Sequence, residues 1–126
     1  MLKFLIDENL RHCAIWQAIV DWQTNLGQLY PLDAIRVGQP PAPPTGTLDK
    51  DLLEFCASQN RILVSIDKKT IVDEFAIRHQ AGGRVPAIIL LHGTLTAGEI
   101  AELLATASHA GSPAEFVDQV KWLPCG

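Results

Sequence analysis

Three short runs in this chain are apolar almost without interruption: residues 2–6 ("LKFLI"), 61–66 ("RILVSI") and 85–91 ("VPAIILL"). A strand with one wetted face alternates apolar and polar residues. An uninterrupted run needs cover on both faces, which parallel sheets obtain from crossover helices. The stretches between these runs have helical periodicity. Residues 8 to about 23 carry apolar Leu10, Cys13, Ala14, Ile19 and Val20, with Asp7 or Asn9 as candidate caps and Gly27 as a stop. Residues 47–60 carry Leu52, Leu53 and Cys56, with Thr47 or Asp49 as candidate caps. "TIVDEFAIRHQ" ends near Gly82 and Gly83, and "TAGE" at 96–99 has the spacing of a capping box for the helix "EIAELLATA". "LDAIRVG" is read as a further short strand and "AEFVDQVKWL" as a last edge strand. The alternation of strands and helices predicts a three-layer α/β sandwich around a mainly parallel sheet.

The length, 126 residues, suits one domain with one core, expected to span residues 1–126. With 48% hydrophobic and 19% charged residues the composition is that of an ordinary globular chain. Residues 40–44 hold four prolines in five positions, which excludes helix and central strand, so 38–46 is read as a stiff loop or insertion. No run approaches the roughly 20 apolar residues of a membrane helix, and the N-terminus lacks the pattern of a secretory signal. Cys13, Cys56 and Cys125 show no C-x-x-C spacing, and a cytoplasmic setting without disulfides is expected. Trp16 and Trp22 are read as core or partner-facing, and the four histidines form no metal-spaced cluster.

A net charge of −4 argues against a general basic coat for nucleic acid. It does not exclude a metal-dependent nuclease, whose acids lower the net charge while bound cations reverse it locally. Asp7 and Asp67 each stand one residue beyond an apolar run. In a parallel sheet both reach the edge where the strands end, the edge at which α/β proteins bind ligands. A helix that precedes a parallel strand starts at the same edge, which brings in Asp49. Three carboxylates there suit a hard cation such as Mg²⁺ or Mn²⁺. Taken singly, each has a plainer reading: Asp7 and Asp49 as helix caps, and Asp67 as a turn residue.

"FLIDENL", "LDKDLLEFCASQNRILVSIDKKT" and "VPAIILLHG" together resemble the small PIN-like proteins of bacteria and archaea. The resemblance covers most of residues 2–107, with the proline segment as a divergence. It implies a metal-dependent endoribonuclease, often the toxin of a toxin–antitoxin pair, with RNA as substrate and an antitoxin protein as partner. Asp7, Asp49 and Asp67 would hold Mg²⁺ or Mn²⁺ and activate a water. Glu8 and Asn9 would support the ligands or the ion's water shell, and Ser65 would bond a ligand carboxylate or a phosphate. The family usually reads D-x-D-F after the strand. Here Lys69 and Thr70 occupy the last two places, so that Lys68 or Lys69 would face a phosphate and Asp73 or Glu74 would replace the missing acid.

Two other readings use the same residues. A PIN-like domain weak in catalysis would act by binding a protein, and apolar helices would permit a homodimer. A phosphoacceptor receiver domain also opens with a strand entering acids. It needs an aspartate ending its third strand and a lysine after its fifth. Asp67 is read as too late for the first, and no lysine is found for the second.

Overall fold

The computed structural model describes residues 2–7, 14–66, 69–83, 87–91, 96–110 and 120–123. These form β1 (Lys3–Ile6), α1 (Ile15–Leu26), β2 (Asp33–Arg36), α2 (Asp49–Gln59), β3 (Ile62–Ile66), α3 (Lys69–Gln80), β4 (Ile88–Leu91), α4 (Ala97–Ala110) and β5 (Val120–Leu123). The strands lie in the order β2-β1-β3-β4-β5, and every neighbouring pair is parallel. The apolar runs account for β1, β3 and β4, the three inner strands, where both faces are covered. The weaker signals became the edge strands β2 and β5.

Each inner strand sends alternate residues to opposite faces, and two cores result. On one face Phe4, Ile6, Ile62, Val64, Ile89 and Leu91 pack with Ile15 and Ile19 of α1 and Ile100 and Leu104 of α4. On the other, Leu5, Leu63, Ile88 and Leu90 pack with Leu52, Leu53 and Cys56 of α2 and Ile71 and Phe75 of α3. The three-layer α/β expectation therefore holds.

The helix faces follow from the strand order until the last crossover. The chain moves outward from β1 to β2 through α1, then back across β1 to β3 through α2 and on to β4 through α3. Crossovers of constant hand that reverse direction must place α1 on one face and α2 and α3 on the other. The step from β4 to β5 continues in the direction of β3 to β4, yet α4 packs beside α1. The β4–α4–β5 crossover is therefore of opposite hand to the other three.

Helix starts differ from expectation in an informative way. The described part of α1 starts at Ile15, with Ala14 before it and no side-chain cap bond there; Asn9 lies outside the described residues. Gly27 does stand at the end of α1. Leu48 occupies the cap position of α2, again with no side-chain bond, so neither Thr47 nor Asp49 caps it. The Thr47 hydroxyl donates instead to the Pro44 carbonyl at 2.6 Å, and Asp49 is the first helical residue. The capping box of α4 forms as its spacing predicts. Glu99 N–H donates to Thr96 Oγ1 and Thr96 N–H to Glu99 Oε1, both at 3.2 Å.

Further contacts hold the sheet and its margin. At the start of β3, Arg61 Nη1 donates to the Phe4 carbonyl at 3.1 Å and to Asp33 Oδ1 at 2.9 Å, joining the three strands β3, β1 and β2. The proline-rich segment closes on itself: Gly38 N–H donates to the Pro43 carbonyl and Ala42 N–H to that of Gln39, while Ala42 packs against the α2/α3 core. Gly38 and Gly46 bracket it with φ of 96° and 85°, a region that glycine enters without the Cβ clash of other residues.

Candidate functional site

The strand order reverses between β1 and β3, and that makes the crevice beyond their carboxyl ends the topological switch point of the sheet. Asp7 stands there. Its N–H continues the β1–β3 ladder by donating to the Val64 carbonyl at 2.9 Å, and the residue is only 1% exposed. By strand alternation it shares the α2/α3 face with Leu5, and Ser65 shares that face with Leu63. Ser65 is fully buried, and its Oγ donates to Asp7 Oδ2 at 2.9 Å.

The negative charge of Asp7 is felt on α2. The Cys56 thiol is pushed up to about 12, chiefly by burial. The Arg61 charge lowers it and the Asp7 charge raises it further. Cys56 thus behaves as a small buried apolar residue, as expected. Cys13 and Cys125 lie outside the described residues.

Asp49 opens α2 at the same edge of the sheet, half-buried. It lines a depression of about 440 Å³ with Leu48, Lys50, Thr70, Asp73 and Glu74, so the start of α2 and the first turns of α3 form its two walls. Asp73 and Glu74 therefore share a surface with Asp49. Glu8, Asn9, Asp67 and Lys68 lie outside the described residues, as do His12 and His92. Ile66 ends β3 and Lys69 begins α3. Among the described residues no group of three His, Cys, Asp or Glu side chains is gathered closely enough to hold a metal ion.

The other candidate residues have local roles. His79 is exposed and stacks on Phe75, and His109 meets Tyr30 edge to face. Trp22 Nε1 donates to the Tyr30 carbonyl at 3.0 Å, and both Trp16 and Trp22 pack partly buried against the α1/α4 core.

Strand order also bears on the receiver reading. With β2 formed, β3 is the third strand, so Asp67 directly follows the third strand and does not arrive late. The stretch in which the sequence shows no lysine, residues 87–99, covers β4 and the start of α4; after β5 the sequence continues with Pro124 and Cys125, again without lysine. The hand of the last crossover is a second objection, because a doubly wound sheet of constant hand would keep α4 beside α2 and α3.

No protein-family model, curated protein or solved structure matches this chain. Among the described residues no helix is long and apolar enough to cross a membrane.

Proposed function

We propose that the chain is a PIN-like, Mg²⁺- or Mn²⁺-dependent endoribonuclease of a toxin–antitoxin type, with Asp7, Asp49 and Asp67 as the metal-binding acids. The observation that carries this reading is Asp7 itself: a carboxylate 1% exposed, at the switch point of a parallel sheet, oriented by a buried serine. A charge is expensive to bury without strong partners. The oxygen donors Asp7 and Asp49 suit a hard divalent cation, and the sequence carries Asp67 to within one residue of the end of β3. When bound, such an ion supplies a water of lowered pKa and stabilises the leaving oxygen of a phosphodiester. Within that reading Ser65 holds one Asp7 oxygen in place. Asp73 and Glu74 extend the acid surface from the next helical turn, out of alignment with the family acid that Lys69 replaces. Lys68 and Lys69 would approach a phosphate from the β3–α3 connection.

A second reading, partner binding by a domain weak in catalysis, draws on exposed apolar residues. Leu26, Leu29 and Tyr30 are 37%, 75% and 51% exposed and adjoin one another at the end of α1. An antitoxin protein or a second copy of the chain would suit such a surface.

Calorimetry with Mn²⁺ on the wild type and on Asp67→Asn separates the two. Saturable binding that disappears in the variant supports the nuclease site and directs a search for RNA substrates. A folded wild type that binds no Mn²⁺ sinks the metal-dependent mechanism and leaves the partner-binding reading.

A further inference from the structure

An acid-rich crevice repels the polyanion it is meant to cleave, and metal ions alone must also hold the reacting phosphate. Cations flanking the crevice would hold the neighbouring phosphates. Arg36 is a cation at the same edge of the sheet, on the opposite face from Asp7. It is the last residue of β2, in register with Ile6, the residue before Asp7 on the adjacent strand. It therefore stands at the carboxyl edge of the sheet, one strand from the buried carboxylate. By alternation with Ala34 it belongs to the α1 face, and its guanidinium carbon lies 5.3 Å from the ring centroid of Trp16. Among the described residues it forms no ion pair. The salt bridges there join Arg61 to Asp33 and Arg78 to Glu54.

This combination differs from that of an ordinary surface arginine. A ring beneath the guanidinium restrains a long side chain while consuming none of its N–H donors, which lie in the guanidinium plane. A restrained, half-buried guanidinium that no described residue pairs with can take two phosphate oxygens at once. Trp16, near the start of α1, is itself half-buried and fixed against the core, so the platform does not move with the ligand.

We propose that Arg36, seated on Trp16, binds a backbone phosphate of single-stranded RNA beside the acid crevice, and so orients the strand across Asp7. The assignment rests on the ribonuclease reading, of which it names the substrate-positioning residue on the β2 side.

The test is fluorescence anisotropy of a labelled single-stranded RNA oligonucleotide against wild type, Arg36→Gln, Arg36→Lys and Trp16→Leu. It is run over a salt series with Ca²⁺ replacing the catalytic ion, and Mn²⁺ calorimetry is run in parallel. Arg36→Gln is expected to weaken binding roughly tenfold or more and to flatten the log K against log salt slope by about 0.7, one phosphate contact fewer on a single strand. Arg36→Lys should restore the slope and only part of the affinity. Trp16→Leu should lose affinity at unchanged slope, because the charge remains while its platform is gone. Mn²⁺ binding should stay at the wild-type level in Arg36→Gln. An Arg36→Gln protein with wild-type affinity and slope, beside a wild type that binds RNA, overturns the role of Arg36 and leaves the nuclease reading intact. A wild type that binds Mn²⁺ but no RNA overturns both.

Discussion

Removing the Ser65 hydroxyl tests the Asp7–Ser65 pair directly. Ser65→Ala keeps the volume nearly constant at a fully buried position and deletes the donor to Asp7 Oδ2. A hydrogen bond to a charged acceptor contributes roughly 1.5–3 kcal/mol, and leaving a buried carboxylate oxygen short of a partner adds to the loss. Asp7 has other contacts besides this one, which points to the lower end of that range. With a urea m-value of ~2 kcal/mol/M, the unfolding midpoint should fall by about 1 M. The same substitution in an Asp7→Asn background removes a bond to a neutral acceptor, worth only ~0.5–1.5 kcal/mol. The coupling between the two positions should then be about 1 kcal/mol. Equilibrium urea unfolding of the four proteins without metal measures it. A Ser65→Ala cost below ~0.5 kcal/mol, or equal costs in both backgrounds, would refute the view that Ser65 restrains a charged carboxylate. The same variant should bind Mn²⁺ roughly 10–100-fold more weakly, the usual cost of losing a residue that orients a metal ligand.

Further outcomes follow from the other contacts. The folded-state pKa of Cys56, about 12, lies above the ordinary value of 9.0, so the folded protein holds this proton more tightly than the unfolded chain. Its contribution is complete below pH 9.0 and lost as pH rises towards 12; Cys56→Ala should flatten that part of the pH–stability curve, read by urea unfolding. Iodoacetamide should leave Cys56 unmodified in the native protein and label it after unfolding, as peptide mass spectrometry would show. Arg61→Met should cost about 1–3 kcal/mol, because the Phe4 carbonyl loses a donor. Asp33→Asn should cost under ~1 kcal/mol, since the Asp33 side chain is 39% exposed. Thermal unfolding of the pair would reveal a failure of that asymmetry. Thr96→Ala should lose ~1 kcal/mol through the α4 cap, whereas Thr47→Ala should lose none of that kind, as Thr47 caps nothing.

Much of this molecule is decided within a few residues of chain. Unbroken apolar runs can only be inner strands, because both of their faces must leave water. Helical periodicity between them makes the sheet parallel, and a parallel sheet brings Asp7, and the start of α2 with Asp49, to one edge. The capping box at Thr96 and Glu99 is equally local, as both partners lie within one turn. The edge strands were legible only faintly, since four residues with one neighbour need little burial.

Other features depend on residues far apart in the chain, and no local pattern encodes them. Which strand lies beside which settled that Asp7 faces the β1–β3 switch point, and that its partner is a serine 58 positions away. The face of α4 was set by packing against α1, against the usual hand of a crossover. Asp49 has the residue type and position of a helix cap, yet Leu48 takes the cap position of α2. The Arg61 clamp and the Arg36–Trp16 pair arise the same way, from a cation on one element meeting groups on another. Burial along the chain follows from its periodicity, but the partner of each buried charge is chosen only when the strands take their order.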